Sequence, residues 1–271
     1  MKKKRTDDLL MEQGLVESKG EALSHVLAGK VFTSKEIKIL TAGEKLPADT
    51  VLYIKGQEKK YVSRGGLKLE EAVRLFDLNL TDQIVLDIGA STGGFTDVSL
   101  KNGAQLVYAL DVGTNQLAWE LRNHDQVVVM EQTNFRYSVP EDFKEGKPHF
   151  ATIDVSFISL ELILPPLYPI LEEGGEVVAL IKPQFEAARE DVGEGGIVKD
   201  FEVYRSVLEH ILSFAEREAF GVLNLGVSPI TGTKGNIEFL AHLKKNAESI
   251  EHKAEQIQRV LDEAQERLNE A

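Results

Sequence analysis

The strongest constraint on the fold is a glycine-rich segment that follows the apolar run Ile84–Ile88 and reads Asp87-Ile-Gly-Ala-Ser-Thr-Gly-Gly-Phe-Thr-Asp97. A helix-compatible stretch, Phe95 to Lys101, comes directly after the glycines. A strand that ends in a glycine-rich turn and restarts as a helix exposes backbone N–H groups to a small ligand in α/β sheets. The segment therefore predicts a ligand-binding crevice at the carboxyl end of this strand.

The pattern of the segment indicates which ligand it binds. Dinucleotide sites use Gly-x-Gly-x-x-Gly because two phosphates approach bare backbone, whereas this segment reads Asp-x-Gly-x-x-x-Gly-Gly. Asp87 would repel a pyrophosphate but suits the ammonium group of S-adenosylmethionine. Asp111 ends the next predicted strand, where a carboxylate can accept both ribose hydroxyls of an adenosine. Alternatively, the glycines only form a strand–helix turn that Asp111 caps.

We therefore expect S-adenosylmethionine as the cofactor. The residues expected to contact it lie in the glycine-rich segment, after the second strand and after the third: Asp87, Gly89, Ala90, Ser91, Thr92, Gly93, Gly94, Asp111, Val112 and Asn134.

Strand and helix patterns alternate from Ile84 onward, which predicts a parallel sheet. The predicted strands are 84–88, 106–111, 127–131, 150–155, 176–182, 220–227 and 237–243. The last two are expected to pair antiparallel, because no helix separates them. The predicted fold class is α/β, a Rossmann-like S-adenosylmethionine-dependent methyltransferase with a seven-stranded, mostly parallel sheet. Residues 246–271 are expected to form a polar helix with a packing stripe made of Ile250, Ile257, Leu261 and Leu268.

A small α+β domain is predicted before this sheet. It contains a helix ending near Gly14, a helix over Lys19–Ala28 capped by Ser18, and strand-like pieces at 30–32, 38–40 and 50–54. We divide the chain into residues 1–55, a linker 56–62, and residues 63–271. Residues 1–60 carry a net charge of +3 within a chain of net charge −13. This asymmetry indicates a basic binding module joined to an acidic body.

Composition narrows the location and the chemistry. The chain has no cysteine, which excludes disulfides, thiolate metal sites and the cysteine nucleophile that pyrimidine C5 methylation generally requires. The basic start Met1-Lys-Lys-Lys-Arg5 is not followed by the apolar region of a signal peptide. The longest apolar run, 158–171, contains Glu161 and three prolines and is not expected to span a bilayer. We expect a cytoplasmic protein with no metal site.

Two strand ends indicate the methyl acceptor. Enzymes that methylate base amino groups usually carry Asn/Asp-Pro-Pro-Tyr at the fourth strand, where this chain has Asp154-Val-Ser-Phe157. A hydroxyl acceptor is therefore favoured. A ribose 2′-hydroxyl is a poor nucleophile that needs a base or an orienting charge. Lys182, desolvated at the end of the fifth strand, could accept its proton while Asp154 holds the ammonium or positions the hydroxyl. The alternative is an ordinary ion pair at the sheet rim.

Five motifs in order resemble the TlyA (hemolysin A) family of rRNA ribose 2′-O-methyltransferases, which have an FtsJ-like catalytic domain. They are Tyr61-Val-Ser-Arg-Gly-Gly-Leu-Lys68, the glycine-rich segment, Asp154-Val-Ser-Phe-Ile-Ser159, Ile181-Lys-Pro-Gln-Phe185 and Gly232-Thr-Lys-Gly-Asn-Ile-Glu238. The resemblance covers nearly the whole chain. It implies a catalytic tetrad of Lys68, Asp154, Lys182 and Glu238, a cytidine acceptor, and ribosomal RNA or ribosomal subunits as partner.

Residues 4–51 resemble the S4-like RNA-binding module. Its pattern is met by Arg5-Thr-Asp7, Leu10, Gly14-Leu-Val-Glu-Ser18 and Gly29-Lys-Val31. The position after Ser18 is commonly arginine but is Lys19 here, which contacts phosphate as a point charge and not as a fork. The expected RNA-binding residues are basic: Lys4, Arg5, Lys19, Lys30 and Arg64.

Three other functions fit the sequence less well. A membrane-active hemolysin needs a spanning segment or a cationic amphipathic helix, and the C-terminal helix is acidic on balance. A non-catalytic RNA-binding or assembly factor has no need of Lys68 and Glu238 together. A small-molecule methyltransferase has no need of a basic N-terminal module. The sequence leaves the target nucleotide, the ribosomal subunit and the oligomeric state open.

Overall fold

The computed structural model describes residues 3–13, 15–16, 18–48, 50–56, 60–232 and 235–270. The chain divides into two compact units, Met1–Lys60 and Tyr61–Ala271. This division falls inside the stretch 56–62 that we assigned to a linker. Gly14, expected to end the first helix, lies outside the described residues, as do residues 57–59 of the linker and 233–234 of the last motif.

The smaller unit combines two helices with two short antiparallel ribbons. A core that includes Leu9, Leu10 and Val31 holds it together. Ser18 caps the second helix by accepting a hydrogen bond from the Glu21 amide at 3.2 Å. A strand predicted over 38–40 is wrong, since this segment forms only a single bridge between Lys38 and Phe32. The elements are β1 Lys3–Arg5, α1 Thr6–Glu12, α2 Lys19–Leu27, β2 Val31–Thr33, β3 Lys45–Pro47 and β4 Leu52–Ile54, with β1 paired to β3 and β2 to β4.

The larger unit alternates strands and helices. Its strands are β5 Ile84–Ile88, β6 Leu106–Leu110, β7 Val127–Met130, β8 Phe150–Ile153, β9 Glu176–Ile181, β10 Phe220–Val227 and β11 Phe239–Lys245. Its helices are α3 Gly66–Leu75, α4 Gly94–Lys101, α5 Trp119–Arg122, α6 Leu164–Ile170, α7 Pro183–Glu186, α8 Phe201–Arg217 and α9 Lys253–Glu270.

The larger unit is built on one seven-stranded sheet with the order β10-β11-β9-β8-β5-β6-β7. Strands β5 to β9 run parallel to one another, whereas β11 runs antiparallel to both β9 and β10. The predicted fold class and the predicted antiparallel final pair are confirmed. Because β11 is reversed, it starts at the edge of the sheet where β8 and β9 end. This reversal brings residues from distant parts of the chain to one edge.

Helices cover both faces of this sheet. On one face α3 and α4 pack through residues such as Leu69 and Val98, and α6, α8 and α9 cover the other. The final helix begins at Lys253, later than predicted. It buries Ile257 and Leu261 of the predicted stripe, whereas Leu268 is 45% exposed. Parallel sheets are buried on both faces in this way, which leaves the strand ends for ligands.

Candidate active site

The glycine-rich loop after β5 is tightly packed against its neighbours. Gly89 has φ +89°, and a Cβ there would lie 2.6 Å from the Asp154 carbonyl oxygen. Gly93 has φ +100°, and its Cβ would lie 2.3 Å from a methyl group of Leu121. Only glycine fits such positions. The loop therefore presents bare backbone at the start of α4, as the sequence pattern indicated.

Asp87 lies beneath this loop and is fully buried. Thr96 Oγ1 donates a hydrogen bond to one carboxylate oxygen at 2.7 Å, and Thr152 Oγ1 donates to the other at 3.1 Å. Burial raises the pKa of Asp87 to about 7, against the opposing effect of the two threonine hydrogen bonds. Asp87 is not among the side chains that line the cavity described below. Its direct contact with a cofactor ammonium stays a prediction.

Asp111 joins two loops at the end of β6. Its carboxylate accepts hydrogen bonds from the Ser91 amide at 2.8 Å and from the Gly113 amide at 2.7 Å. Val112, next to it, is 70% exposed. Asn134 is exposed and caps a short 3₁₀ turn by accepting from the Arg136 amide at 3.2 Å. Within the predicted cofactor set, the cavity wall includes Gly89, Ala90, Ser91, Thr92 and Gly94 but not Gly93, Asp111, Val112 or Asn134.

Four charged side chains meet at the carboxyl edge of the sheet, and we call them the charged quartet: Lys68, Asp154, Lys182 and Glu238. Lys68 Nζ lies 2.7 Å from Glu238 Oε2 and 3.3 Å from Asp154 Oδ2. Lys182 Nζ lies 2.5 Å from Asp154 Oδ1 and 3.3 Å from Ser156 Oγ. Burial acts to raise the pKa of Asp154, but the two lysines outweigh it and hold that pKa below its ordinary value. The quartet carries two positive and two negative charges.

Each member of the quartet comes from a different element. Asp154 follows β8, Lys182 follows β9, Glu238 precedes the reversed strand β11, and Lys68 projects from α3. Gly232 makes room for the last carboxylate, since a Cβ there would lie 2.1 Å from Glu238 Oε1. The structure thus brings together all four residues that the family resemblance nominated.

The quartet and the glycine-rich loop line one cavity of about 520 Å³. Arg64, predicted to bind RNA, also lines it. Phe157 is 89% exposed with φ +62°, and its ring lies 4.9 Å from that of Phe185, both on the cavity wall. A non-glycine residue in this backbone region is uncommon and often marks a functional position. The cavity therefore has an aromatic pair on its wall.

Several cavity residues were missed by sequence reasoning: Ser156, Phe157, Gln184, Phe185 and Asn236. Ser156 and Phe157 follow Asp154 so closely that the strand-end rule could have found them. Asn236 follows no strand end, although it lies within the last of the five family motifs. It is 3% exposed, accepts from the Val198 amide at 3.1 Å and donates to the Gly196 carbonyl at 2.9 Å. Its side chain ties the loop at 193–198 to the loop before β11.

The smaller unit holds the other predicted RNA-binding residues. Lys4 pairs with Glu12 at 2.6 Å, Arg5 with Asp7 at 2.5 Å, and Lys19 with Asp8 at 2.9 Å. Lys30 is exposed. The Lys4 and Lys19 pairs lie on the surface and contribute little free energy, so phosphate could replace their carboxylates at small cost. Asp7, in contrast, is buried and accepts hydrogen bonds from both Nε and Nη2 of Arg5.

The strand order, the glycine-rich loop after β5 and the polar residues along the carboxyl edge define an S-adenosylmethionine-dependent methyltransferase fold. More specifically, the chain belongs to the FtsJ-like methyltransferase family, whose profile matches residues 61–245.

Close relatives extend the match to nearly the whole chain. A Bacillus subtilis protein provisionally named an rRNA methyltransferase, YqxC, is 52% identical over 99% of this chain and 96% of its own length. The 16S/23S rRNA (cytidine-2′-O)-methyltransferase TlyA of Mycobacterium tuberculosis is 40% identical over 89% of both chains. The solved structure of a provisionally named hemolysin from Streptococcus thermophilus has a TM-score of 0.81 at 52% identity, covering 100% of this chain and 98% of that one. The resemblance to the TlyA family is confirmed.

Within the described parts of the chain, no helix is both long enough and apolar enough to cross a membrane.

Proposed function

We propose that this protein transfers a methyl group from S-adenosylmethionine to the 2′-hydroxyl of a ribose in ribosomal RNA, with a cytidine as the target nucleotide. The observation that carries the proposal is the charged quartet beside the glycine-rich loop in one cavity. The relatives named for rRNA methylation support the choice of substrate.

The loop after β5 fits the cofactor because its glycines expose backbone where a Cβ would collide with neighbouring atoms. The backbone of Gly89 to Thr92 would hold the amino-acid part, and Asp111 would accept the ribose hydroxyls in exchange for its present contacts with Ser91 and Gly113. Val112 and Asn134 would flank the adenine. S-adenosylmethionine, when bound, supplies a methyl group already activated by a positively charged sulfur.

Lys182 is the residue that would take the proton from the 2′-hydroxyl. Lys182 is 6% exposed, and its Nζ lies between Asp154 Oδ1 and Ser156 Oγ. After Lys182 has released its own proton to solvent, the neutral amine would accept the proton of the 2′-hydroxyl, and the ammonium formed would restore the ion pair with Asp154. Asp154 would also orient the hydroxyl, since its other oxygen already faces Lys68.

Lys68 and Glu238 would position Asp154. The Lys68 ammonium contacts both carboxylates, so it fixes the distance between them and keeps Asp154 ionised. A buried carboxylate left without its lysines would be strongly destabilised. Lys68 and Glu238 would therefore hold Asp154 in place beside Lys182, and neither needs to contact the methyl group.

RNA would enter past the aromatic pair. Sequence-specific RNA recognition commonly splays a base out of the strand and stacks it on an aromatic ring, and Phe157 presents a ring that is 89% exposed on the cavity wall. Arg64, on the same wall, would contact the flanking phosphate. The S4-like unit would add phosphate contacts through Lys4, Arg5, Lys19 and Lys30.

The test is transfer of labelled methyl from S-adenosylmethionine to isolated ribosomal subunits and to naked rRNA, followed by alkaline hydrolysis. Ribose methylation blocks cleavage at the modified nucleotide, so we expect an alkali-resistant dinucleotide that carries the label, with cytidine at its 5′ position. Label released with mononucleotides would indicate base methylation and contradict the proposal. Cofactor binding without transfer to any RNA would point to a different acceptor.

A further inference from the structure

The ribbon formed by β2 and β4 in the smaller unit has two different faces. Val31, Thr33, Leu52 and Ile54 are buried and face the core of this unit. Side chains alternate between the faces of a strand, so Phe32 and Tyr53 point to the opposite face. Both are only half-buried. Two aromatic rings therefore lie on the outer side of a ribbon whose inner side is already packed.

These rings form one layer. Phe32 is paired directly with Tyr53 in the antiparallel register, and their ring centroids lie 5.6 Å apart at an interplanar angle of 21°. On its other side Phe32 forms an antiparallel bridge with Lys38. Directly opposed residues share a face, so Lys38, Phe32 and Tyr53 form a row across the outer side.

Two further lysines flank this row. Lys30 precedes Phe32 by two positions and Lys55 follows Tyr53 by two, so both share the outer face. The Lys55 amide donates to the Lys30 carbonyl at 2.7 Å, and Lys55 Nζ lies 5.9 Å from the Phe32 ring centroid. All three lysines are exposed. A carboxylate also reaches this side: Glu36 accepts the Tyr53 hydroxyl at 2.8 Å, at the edge of the ring and not over its plane.

We propose that this basic aromatic face, made of Lys30, Phe32, Lys38, Tyr53 and Lys55, binds an unpaired RNA base on its rings and the adjoining phosphates on its lysines. Aromatic platforms within a positively charged groove are how proteins hold single-stranded nucleic acid, because every base has a face that can stack. The site is distinct from the methyl-transfer cavity of the larger unit. Lys30 is shared with the phosphate contacts predicted above, whereas Lys4, Arg5 and Lys19 lie outside this face, and none of those predicted contacts involves stacking of a base on Phe32 or Tyr53.

The positive charge of this face favours RNA over a second copy of the protein as the bound partner. Three lysines around two rings complement a phosphate backbone, whereas they would repel a second copy of the same face. Glu36, the carboxylate on this side among the described residues, already accepts a hydrogen bond from Tyr53, so it has a partner within the unit. A face of this kind is expected to prefer single strands, since bases in a duplex are stacked on each other and cannot reach the rings.

The location of a bound base can be measured directly by ultraviolet cross-linking. We would irradiate the full-length protein with an unstructured oligouridine of about twelve nucleotides and map the modified peptides by mass spectrometry. Cross-links at Phe32 or Tyr53 are the expected result. Cross-links confined to other peptides would overturn the proposal.

Affinity supplies the second measurement. Phe32→Leu and Tyr53→Leu keep an apolar side chain but remove the π face, so each should weaken oligouridine binding by about fivefold or more. Lys38→Gln and Lys55→Gln should each lower the slope of log affinity against log salt by about 0.7. Leu27→Ala is the matched control: Leu27 is 75% exposed at the end of α2 in the same unit and is not part of the ribbon. Unchanged thermal midpoints would exclude misfolding.

Two results would contradict the assignment. If the leucine variants bound oligouridine as tightly as the wild type, the face would not be an RNA site. Loss of self-association or of a protein partner at unchanged RNA affinity would assign the face to a protein. Methyl transfer is scored separately on the same preparations, so a failure of the proposed rRNA methylation is distinguishable from a failure of this inference.

Discussion

Asp154 is the residue on which the contacts of the quartet converge. One of its oxygens lies 2.5 Å from Lys182 Nζ and the other 3.3 Å from Lys68 Nζ. Its two lysine partners can be separated experimentally, because Lys68 also has Glu238 as a partner whereas Lys182 has Asp154 and Ser156. Mutations at single residues can therefore separate the proposed proton transfer by Lys182 from the proposed positioning of Asp154 by Lys68.

We expect Lys182→Ala to lower the rate of methyl transfer by about 10²- to 10⁴-fold, the usual contribution of a general base, while cofactor affinity stays unchanged. Single-turnover transfer and equilibrium dialysis with labelled cofactor measure the two quantities. Lys182→Arg retains the charge but cannot accept a proton, so it should be as inactive as the alanine variant if Lys182 is the base. Lys244→Ala removes a half-exposed lysine of β11 and should transfer normally. If cofactor binding is lost as well, Lys182 is structural.

Asp111→Ala should weaken cofactor binding by about tenfold or more, since it removes a charged acceptor for hydroxyl donors. Isothermal titration with S-adenosylhomocysteine measures this effect. The alanine substitution also leaves the Ser91 and Gly113 amides without their acceptor. Asp111→Asn retains an acceptor oxygen, so its cofactor affinity should lie between those of the wild type and of Asp111→Ala. An affinity equal to that of the wild type would refute the predicted ribose contact.

Because burial raises the pKa of Asp87, the free energy of unfolding of the larger unit should decrease as the pH rises. Its pKa is about 7 in the folded state against an ordinary value of 3.8. Between these values the folded chain keeps a proton that the unfolded chain releases, so the free energy of unfolding falls with rising pH through this window and then levels off. At about 1.4 kcal/mol for each pH unit, the free energy of unfolding should fall by an amount on the order of 4 kcal/mol across the whole window.

Urea unfolding of the wild type and of Asp87→Asn at pH values between about 4 and 8 tests this sign. In Asp87→Asn, the free energy of unfolding should fall much less with rising pH than in the wild type. In Glu202→Gln, which removes a carboxylate whose side chain is 80% exposed, it should fall as in the wild type. A wild-type stability that rises across the same window relative to Asp87→Asn would contradict the expectation.

At the scale of elements, the loop before β11 controls the position of Glu238. Gly232→Ala should reduce methyl transfer strongly with little loss of the fold, because the new Cβ would displace the Glu238 carboxylate, 2.1 Å away. Transfer assays and circular dichroism would separate the two effects. Gly20→Ala is the matched control, since it lies in α2 with its nearest contact at 3.8 Å. Full activity of Gly232→Ala would mean that Glu238 needs no fixed position.

The parts of the sheet that the sequence predicts are those with local signals. The strands β5 to β9 are apolar runs bounded by polar or glycine residues, so their ends, and with them Asp87, Asp111, Asp154 and Lys182, were located within one or two residues. Lys68 and Glu238 were not found by pattern, because they join the others only through α3 packing and the reversal of β11. The family motifs supplied both. The segment 38–40 resembles a strand in sequence because Ile39 is apolar. In the structure Ile39 is buried in the core of the smaller unit, but the segment pairs with β2 only through the single bridge between Lys38 and Phe32.

At the scale of the whole molecule, each unit has its own hydrophobic core among the described residues. The core of the smaller unit contains residues between Leu9 and Ile54, and the cores of the larger unit begin at Tyr61. We therefore expect a fragment of residues 61–271 to fold alone and to bind S-adenosylhomocysteine with the affinity of the full chain. Its affinity for RNA, and the salt dependence of that affinity, should fall because the basic residues of the first unit are absent.

Calorimetry and filter binding on the fragment and on the full chain measure these two expectations. Loss of cofactor binding in a fragment that still unfolds cooperatively would show that residues 1–60 contribute to the cofactor site. Unchanged RNA affinity would place RNA recognition entirely in the larger unit.

The place of β11 in the sheet has a consequence for how the protein is made. Its position between β9 and β10 means that β10, although synthesised earlier, has no neighbour in the sheet until β11 has emerged. Glu238 enters the quartet with that same late segment. A nascent chain arrested before this point would display the donor loop yet lack a finished reaction centre. If the quartet is the reaction centre, we expect the chain to become competent only after β11 has been synthesised, and a chain terminated before Glu238 to be inert.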